Sequence, residues 1–94
     1  MVTAVILITV EQGKVPEVAD ALMRVNGIAE AYSVAGDYDL VAIARVRQHE
    51  ELAGLVTAHL QRIPGITSTN TLIAFRAYAS KDLEAMWELG MEEG

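Results

Sequence analysis

Shifted against itself by 38 positions, this chain of 94 residues lays ALMRVNGI (residues 21–28) over HLQRIPGI (residues 59–66). Leu22, Arg24, Gly27 and Ile28 fall on Leu60, Arg62, Gly65 and Ile66, and the run 2–8 falls on 40–46 with Ala4 on Ala42. Each half reads as strand, helix, strand. Residues 2–10 are rich in β-branched side chains and end at the turn EQGK. Pro16 suits the first turn of a helix, with Glu17 and Asp20 near its positive end. Val15, Val18, Ala19, Leu22 and Met23 recur at helical spacing, and Gly27 supplies the stop. Residues 28–35 read as a strand, GDYD as a turn and residues 40–46 as another strand. Leu52, Leu55, Val56, Leu60 and Ile63 mark one face of a helix over about 48–63, which Pro64-Gly65 ends. Residues 69–79 form a last long strand. Two βαβ units in tandem predict one α+β domain over residues 1–79, a ferredoxin-like βαββαβ fold with an antiparallel sheet backed by two helices.

The strands also constrain what covers the other side of that sheet. A sheet with helices on one face and water on the other alternates apolar and polar residues. VILITV, LVAIA and TLIAF are instead apolar on both faces: Val5 and Leu7 point one way, Ala4, Ile6 and Ile8 the other. Hydrophobic residues make up 52% of a chain too short to hide them all in one core. At roughly 25 cal/mol per Å² of apolar area, leaving several aliphatic side chains wet forfeits several kcal/mol. The expectation is an obligate homodimer packed sheet to sheet, the dimeric α/β-barrel arrangement. Residues 80–94 (SKDLEAMWELGMEEG) predict a C-terminal helix over about 80–89 and a tail. Ser80 or Asp82 caps that helix, and Leu83, Met86 and Trp87 form a stripe for its own or a neighbouring subunit.

Several function classes are excluded on composition. There is no cysteine, so disulfide and thiolate chemistry is absent, which agrees with a cytoplasmic setting. No apolar run is long enough to cross a membrane, and the N-terminus lacks the basic segment of a signal peptide. The net charge of −6, with seven scattered Lys and Arg, argues against direct nucleic-acid binding. His49 and His59 stand about 15 Å apart along one helix, too far to share a metal. His49 belongs to a polar opening, and His59 is expected to pack at the edge of the apolar face. No nucleophile elbow, phosphate loop or acid–base pair is present, so neither a catalytic residue nor a cofactor is expected.

Two stretches remain. Gly36, Asp37, Tyr38 and Asp39 stand between two strands, and Thr67, Ser68, Thr69, Asn70 and Thr71 crowd the start of the last one. Turn and strand-end chemistry accounts for both on backbone grounds. A polar ligand is the alternative: hydroxyls and backbone N–H groups receive a carboxylate while Asp37 or Asp39 takes an ammonium, the wiring of an α-amino acid. In this topology the 36–39 hairpin and the 65–69 loop are expected at opposite sheet ends or on separated edges, so that a second subunit completes the site.

The segment VNGIAEAYSVAGDYDLVAIARV followed by IPGITSTNTLIAF resembles the effector-binding (RAM) domain of Lrp/AsnC transcription regulators. The most specific part is G-x-Y-D at Gly36, Tyr38 and Asp39, followed by Pro64-Gly65 and the T-x-T of Thr67 and Thr69. The resemblance implies dimers that assemble into rings, often octamers, with amino-acid effectors held between dimers. It places Gly36, Asp37, Tyr38, Asp39, Thr67, Ser68, Thr69 and Thr71 at that effector, with Asp37 or Asp39 near the amine and Tyr38 in the wall. No helix-turn-helix precedes Val2, so the resemblance is to a stand-alone form whose regulatory role runs through a partner such as a full-length regulator. The competing expectation is a dimeric α/β-barrel enzyme of monooxygenase or isomerase type. That reading requires a polar residue pointing into a cavity between sheet and helices.

Overall fold

The computed structural model describes residues 1–78 and Ser80. The C-terminal helix expected over 80–89, with Leu83, Met86 and Trp87, lies outside the described residues. The chain runs β1 (Val2–Val10), α1 (Val15–Met23), β2 (Ile28–Ser33), β3 (Leu40–Val46), α2 (His49–Gly54) and β4 (Ile66–Ala74). All strand pairs are antiparallel, in the order β2-β3-β1-β4, so each βαβ unit skips one strand as the ferredoxin-like topology requires.

The internal repeat is structural. Equivalent Gly27 and Gly65 adopt φ +102° and +101°. Ile28 and Ile66 each open a strand, and Leu22 with Leu60, and Ala4 with Ala42, are fully buried pairs. A bulge falls just after each opening isoleucine, at Ala29 against β3 and at Thr67 against β1.

Burial separates the sheet's two faces. Ala4, Ile6 and Ile8 of β1 and Leu40, Ala42, Ala44 and Val46 of β3 join Val18 and Leu22 of α1 and Leu52, Leu55 and Leu60 after β3 in one core. Among the described residues no polar or charged side chain is buried. The opposite face carries Val5 and Leu7 of β1, Val41 and Ile43 of β3, Tyr32 of β2 and Leu72 of β4, which the register aligns on one side. The first four are half-buried, and Leu72 and Tyr32 are 50% and 51% exposed. The expectation of strands apolar on both faces therefore holds, with one face open in the single chain.

Three expected elements change their bounds. Residues 28–35 contract to Ile28–Ser33, because Val34 N–H already turns back to the Asp39 carbonyl at 3.1 Å. The final strand begins at Ile66 rather than residue 69 and ends at Ala74 rather than 79. The Thr-rich run is thus strand, not loop; β-branched threonine suits a pleated edge. The single helix expected over 48–63 is α-helical only as far as Gly54, then a π turn over Leu55–His59 and a 3-10 turn over Leu60–Arg62. Leu52, Leu55 and Leu60 all reach the core despite their uneven spacing, because the wider π turn resets the helix phase. Met23, placed by periodicity on the buried stripe of α1, is 51% exposed at the helix's last residue.

Candidate functional site

Asp39 is the residue that fixes the GDYD hairpin to the sheet. Its backbone N–H donates to the Ile8 carbonyl at 2.9 Å, and its carboxylate Oδ2 accepts from the Val10 N–H at 2.9 Å. The Val10 donor needs such a partner because the register of β1 against β4 slips between Thr9 and Val10. Gly36 turns the tip with φ +122°, and a Cβ placed there would meet nothing within 4 Å. Asp37 is exposed, while Tyr38 and Asp39 are half-buried.

On the other side of β1, the Gly65 carbonyl accepts from Glu11 N–H at 2.7 Å and β4 begins at Ile66. The bulge brings Thr67 and Ser68 together opposite Thr9: the Thr9 hydroxyl shares hydrogen bonds with that of Thr67, at 2.8 Å, and with that of Ser68. The hairpin and the start of β4 therefore flank the same end of the same strand. This corrects the expectation of opposite ends; the two do lie toward separate edges, with β1 between them. The reason is topological: β3 and β4 both run antiparallel to β1, so both begin where β1 finishes. One strand lies between them, a separation of about 10 Å at two interstrand spacings.

The pleat divides the candidate residues further. Thr69 and Thr71 pair with Ile8 and Ile6 and so lie on the helix-facing side, half-buried. Ser68, with Thr9 opposite, belongs to the open side. Thr9 is the member that sequence reasoning missed; its signal was a hydroxyl near the end of a strand whose only other polar side chain is Thr3.

At the far end of β2 and β3 the open face carries a charged group. Arg45 lies 3.5 Å from Glu30, and the Tyr32 hydroxyl donates to the same glutamate. That hydrogen bond, with the glutamate's negative charge next in importance, raises the Tyr32 phenol above its ordinary pKa, and Arg45 opposes the shift.

A cavity of about 600 Å³ opens at this opposite end of the sheet, lined by Asn26, Gly27, Arg45, Arg47, Leu55 and His59 among others. His59 is exposed and lines the cavity, where packing on the apolar face was expected; the π turn carries it off that face. No cluster of three or more metal-ligating side chains occurs among the described residues, and none of their helices is long and apolar enough to cross a membrane.

A four-stranded antiparallel sheet with two helices on one face defines a small ferredoxin-like α+β domain, with a Gly-Asp-Tyr-Asp hairpin and a hydroxyl-rich strand at one end. The Lrp/AsnC ligand binding domain family model matches residues 3–83, and the chain belongs to that family. It is 39% identical over 75 residues to the HTH-type transcriptional regulator FL11 of Pyrococcus abyssi, a match covering 80% of this chain and 49% of the regulator. The chain thus spans about half the length of the curated relatives it matches. Among solved structures, TTHA0845 of Thermus thermophilus is 41% identical with TM-score 0.80, over 85% of this chain and all of that one. The transcriptional regulator NMB0573 of Neisseria meningitidis, solved with L-Met, shares the fold alone at 12% identity and TM-score 0.76, over 84% of this chain and 53% of that one.

Proposed function

We propose that this chain is a non-enzymatic effector-sensing and oligomerisation module of transcription regulation, binding an amino acid at the end of β1 where the GDYD hairpin and the start of β4 meet. The observation that carries the reading is the pairing of opposite chemistries across that end. Asp37 and Asp39 supply negative charge on one side, and the hydroxyls of Thr9, Thr67 and Ser68 supply neutral donors on the other. A bound α-amino acid needs roughly 8 Å from a carboxylate oxygen to a hydroxyl, counting a hydrogen bond at each end. β3 and β4 stand about 10 Å apart with β1 between them, so a ligand of that span reaches from one to the other across the open face of β1, over Thr9. Tyr38 walls the site, and Thr69 and Thr71 support it from the helix-facing side.

The exposed tip at Asp37 leaves the ligand uncovered in one chain, which favours closure by a hairpin or strand of another subunit. The open face supplies the first level of assembly. Burying the remaining half of side chains such as Leu72 and Tyr32 stabilises a sheet-to-sheet homodimer by roughly 1 kcal/mol per residue. Dimers then join into a larger ring around the effector sites. A full-length regulator of the same family can enter such a ring in place of one copy. Among the described residues the buried core is apolar, which supports the non-enzymatic reading over a monooxygenase or isomerase; Arg45, Glu51 and His59 line the cavity at the far end of the sheet rather than that core.

A thermal-shift screen of the twenty amino acids, run beside light scattering, tests ligand and assembly together. A ligand at about 100 times its dissociation constant adds about 2.7 kcal/mol of apparent stability. No shift with any amino acid at millimolar concentration would sink the sensor reading.

A further inference from the structure

The internal repeat exchanges the two ends of the sheet, and a cavity opens at the end that holds Gly27. At the GDYD end, a Cβ on Gly65 would meet Val18 Cγ2 at 3.0 Å and Lys14 Cβ at 3.3 Å, so α1 fills the space behind the glycine. At the other end, a Cβ on the equivalent Gly27 would meet Leu55 Cδ1 at 2.7 Å and Val46 Cγ1 at 3.2 Å. The Gly27 carbonyl accepts from Arg45 N–H at 2.8 Å, four positions earlier than the repeat places the partner of Gly65. The end of β3 therefore runs on past the glycine as Val46 and Arg47. The cavity of about 600 Å³ opens there, within the size range of small-molecule sites. The helix above it is π-helical over Leu55–His59, whereas its counterpart α1 is α-helical throughout. Such π turns recur at functional sites because the widened turn re-aims side chains.

The lining is cationic in an acidic chain. Arg45 and Arg47 face it with one carboxylate, Glu51, against a formal net charge of −6 for the whole protein. That carboxylate is already engaged: Glu51 Oε2 accepts from Arg47 N–H at 3.0 Å, which holds the Arg47 backbone at the rim. Arg45 is matched by Glu30 at 3.5 Å, while Arg47 makes no ion pair among the described residues. Val46, Leu55 and Ala58 add apolar surface.

We propose that this cavity is a second ligand site, distinct from the GDYD end, which takes a small organic carboxylate. Arg47 receives the carboxylate through a paired charge-assisted hydrogen bond, His59 and Asn26 offer further polar groups, and the apolar lining takes the ligand's body. With Arg45 matched by Glu30, the Arg47 guanidinium is the group that favours a carboxylate over an ammonium in this pocket.

Amide NMR titration of the whole chain with benzoate, its neutral isostere benzamide and inorganic phosphate tests the assignment. Benzoate is expected to give saturable shifts at Gly27, Gly54 and Leu55, and Arg47→Gln to weaken them by at least about tenfold, the loss of one charge-assisted hydrogen bond. Asp37→Asn, at the other end of the sheet, should leave the benzoate titration unchanged. Equal binding of benzamide, binding of phosphate as tight as that of benzoate, or no saturable shift at those amides would each overturn the proposal. An amino acid that perturbs residues 36–39 without perturbing Gly27 keeps this site and the effector reading separately testable.

Discussion

Replacing Asp39 by alanine separates the two roles that meet in that side chain. In the structure its carboxylate is the acceptor for the Val10 N–H, at 2.9 Å, where the bulge has displaced β4. A hydrogen bond to an ionised acceptor contributes about 1.5–3 kcal/mol. Val10 and Asp39 are both half-buried, so water recovers part of the loss and the lower figure of about 1.5 kcal/mol applies. For a domain of this size that lowers Tm by roughly 6–12 °C. Asp39→Asn keeps a carbonyl oxygen at the same place and exchanges a charged acceptor for a neutral one, a loss of about 0.5 kcal/mol. The assay is urea unfolding of the three proteins at one fixed protein concentration, because any dimer makes the midpoint concentration-dependent. The expected order is wild type, Asp39→Asn, then Asp39→Ala, with the slope of the transition unchanged. If Asp39→Ala unfolds within about 0.5 kcal/mol of wild type, the carboxylate is not what satisfies Val10 and the account of the hairpin latch is refuted. If Asp39→Asn is as damaging as Asp39→Ala, charge rather than acceptor geometry governs the latch. The asparagine variant then carries the functional test: it should retain the fold and lose the amino-acid thermal shift.

Gly27→Ala combines φ +102° with a Cβ 2.7 Å from Leu55 Cδ1, and a destabilisation of about 2–4 kcal/mol is expected in the same urea assay. Gly36→Ala meets no neighbour within 4 Å despite φ +122°, so backbone strain alone should cost about 1–2 kcal/mol. Leu72→Asp puts a charge on the open face without touching the core; analytical ultracentrifugation should show monomer while the far-ultraviolet circular dichroism stays that of the wild type. An unchanged dimer would remove that face from the interface. The Tyr32 phenol, raised above its ordinary value of 10.0, should form phenolate at higher pH than a free tyrosine, and Glu30→Gln should return it toward that value in an absorbance titration. The sign follows from proton binding: the folded state holds the proton more tightly, so the group's contribution to stability is complete below pH 10.0 and is lost as pH rises through the raised folded value.

The element order was legible because the repeat fixed it twice. Gly27 and Gly65 share one conformation, and the leucines and alanines that coincide in sequence coincide in the core. What the sequence could not carry was phase and register. A π turn leaves no mark in residue type, since Leu52, Leu55, Val56 and Leu60 suit a regular helix nearly as well as the broken one that forms. His59 was misplaced for that reason alone. The candidate site was legible as composition but not as geometry. GDYD and TSTNT announced themselves, yet the fact that both flank the end of β1 depends on strand pairing across more than 25 residues of intervening chain. Pairing at that range is decided by burial of the whole sheet rather than by any local signal.

The same dependence explains why Thr9 escaped notice and why it matters. In β1 it is one hydroxyl after seven positions that hold no charge, and periodicity treats it as a strand residue like Thr3. Only the bulge at Thr67 turns it into the centre of three hydroxyls, by placing two residues of β4 against one of β1. At the equivalent bulge in the first half the extra residue is Ala29, with no hydroxyl to contribute. The two halves therefore share a backbone device and differ in what it displays: hydroxyls beside Asp39 at one end, and a cavity rimmed by Arg45 and Arg47 at the other. Repetition accounts for the fold, and the departures from repetition are where chemistry for a ligand accumulates.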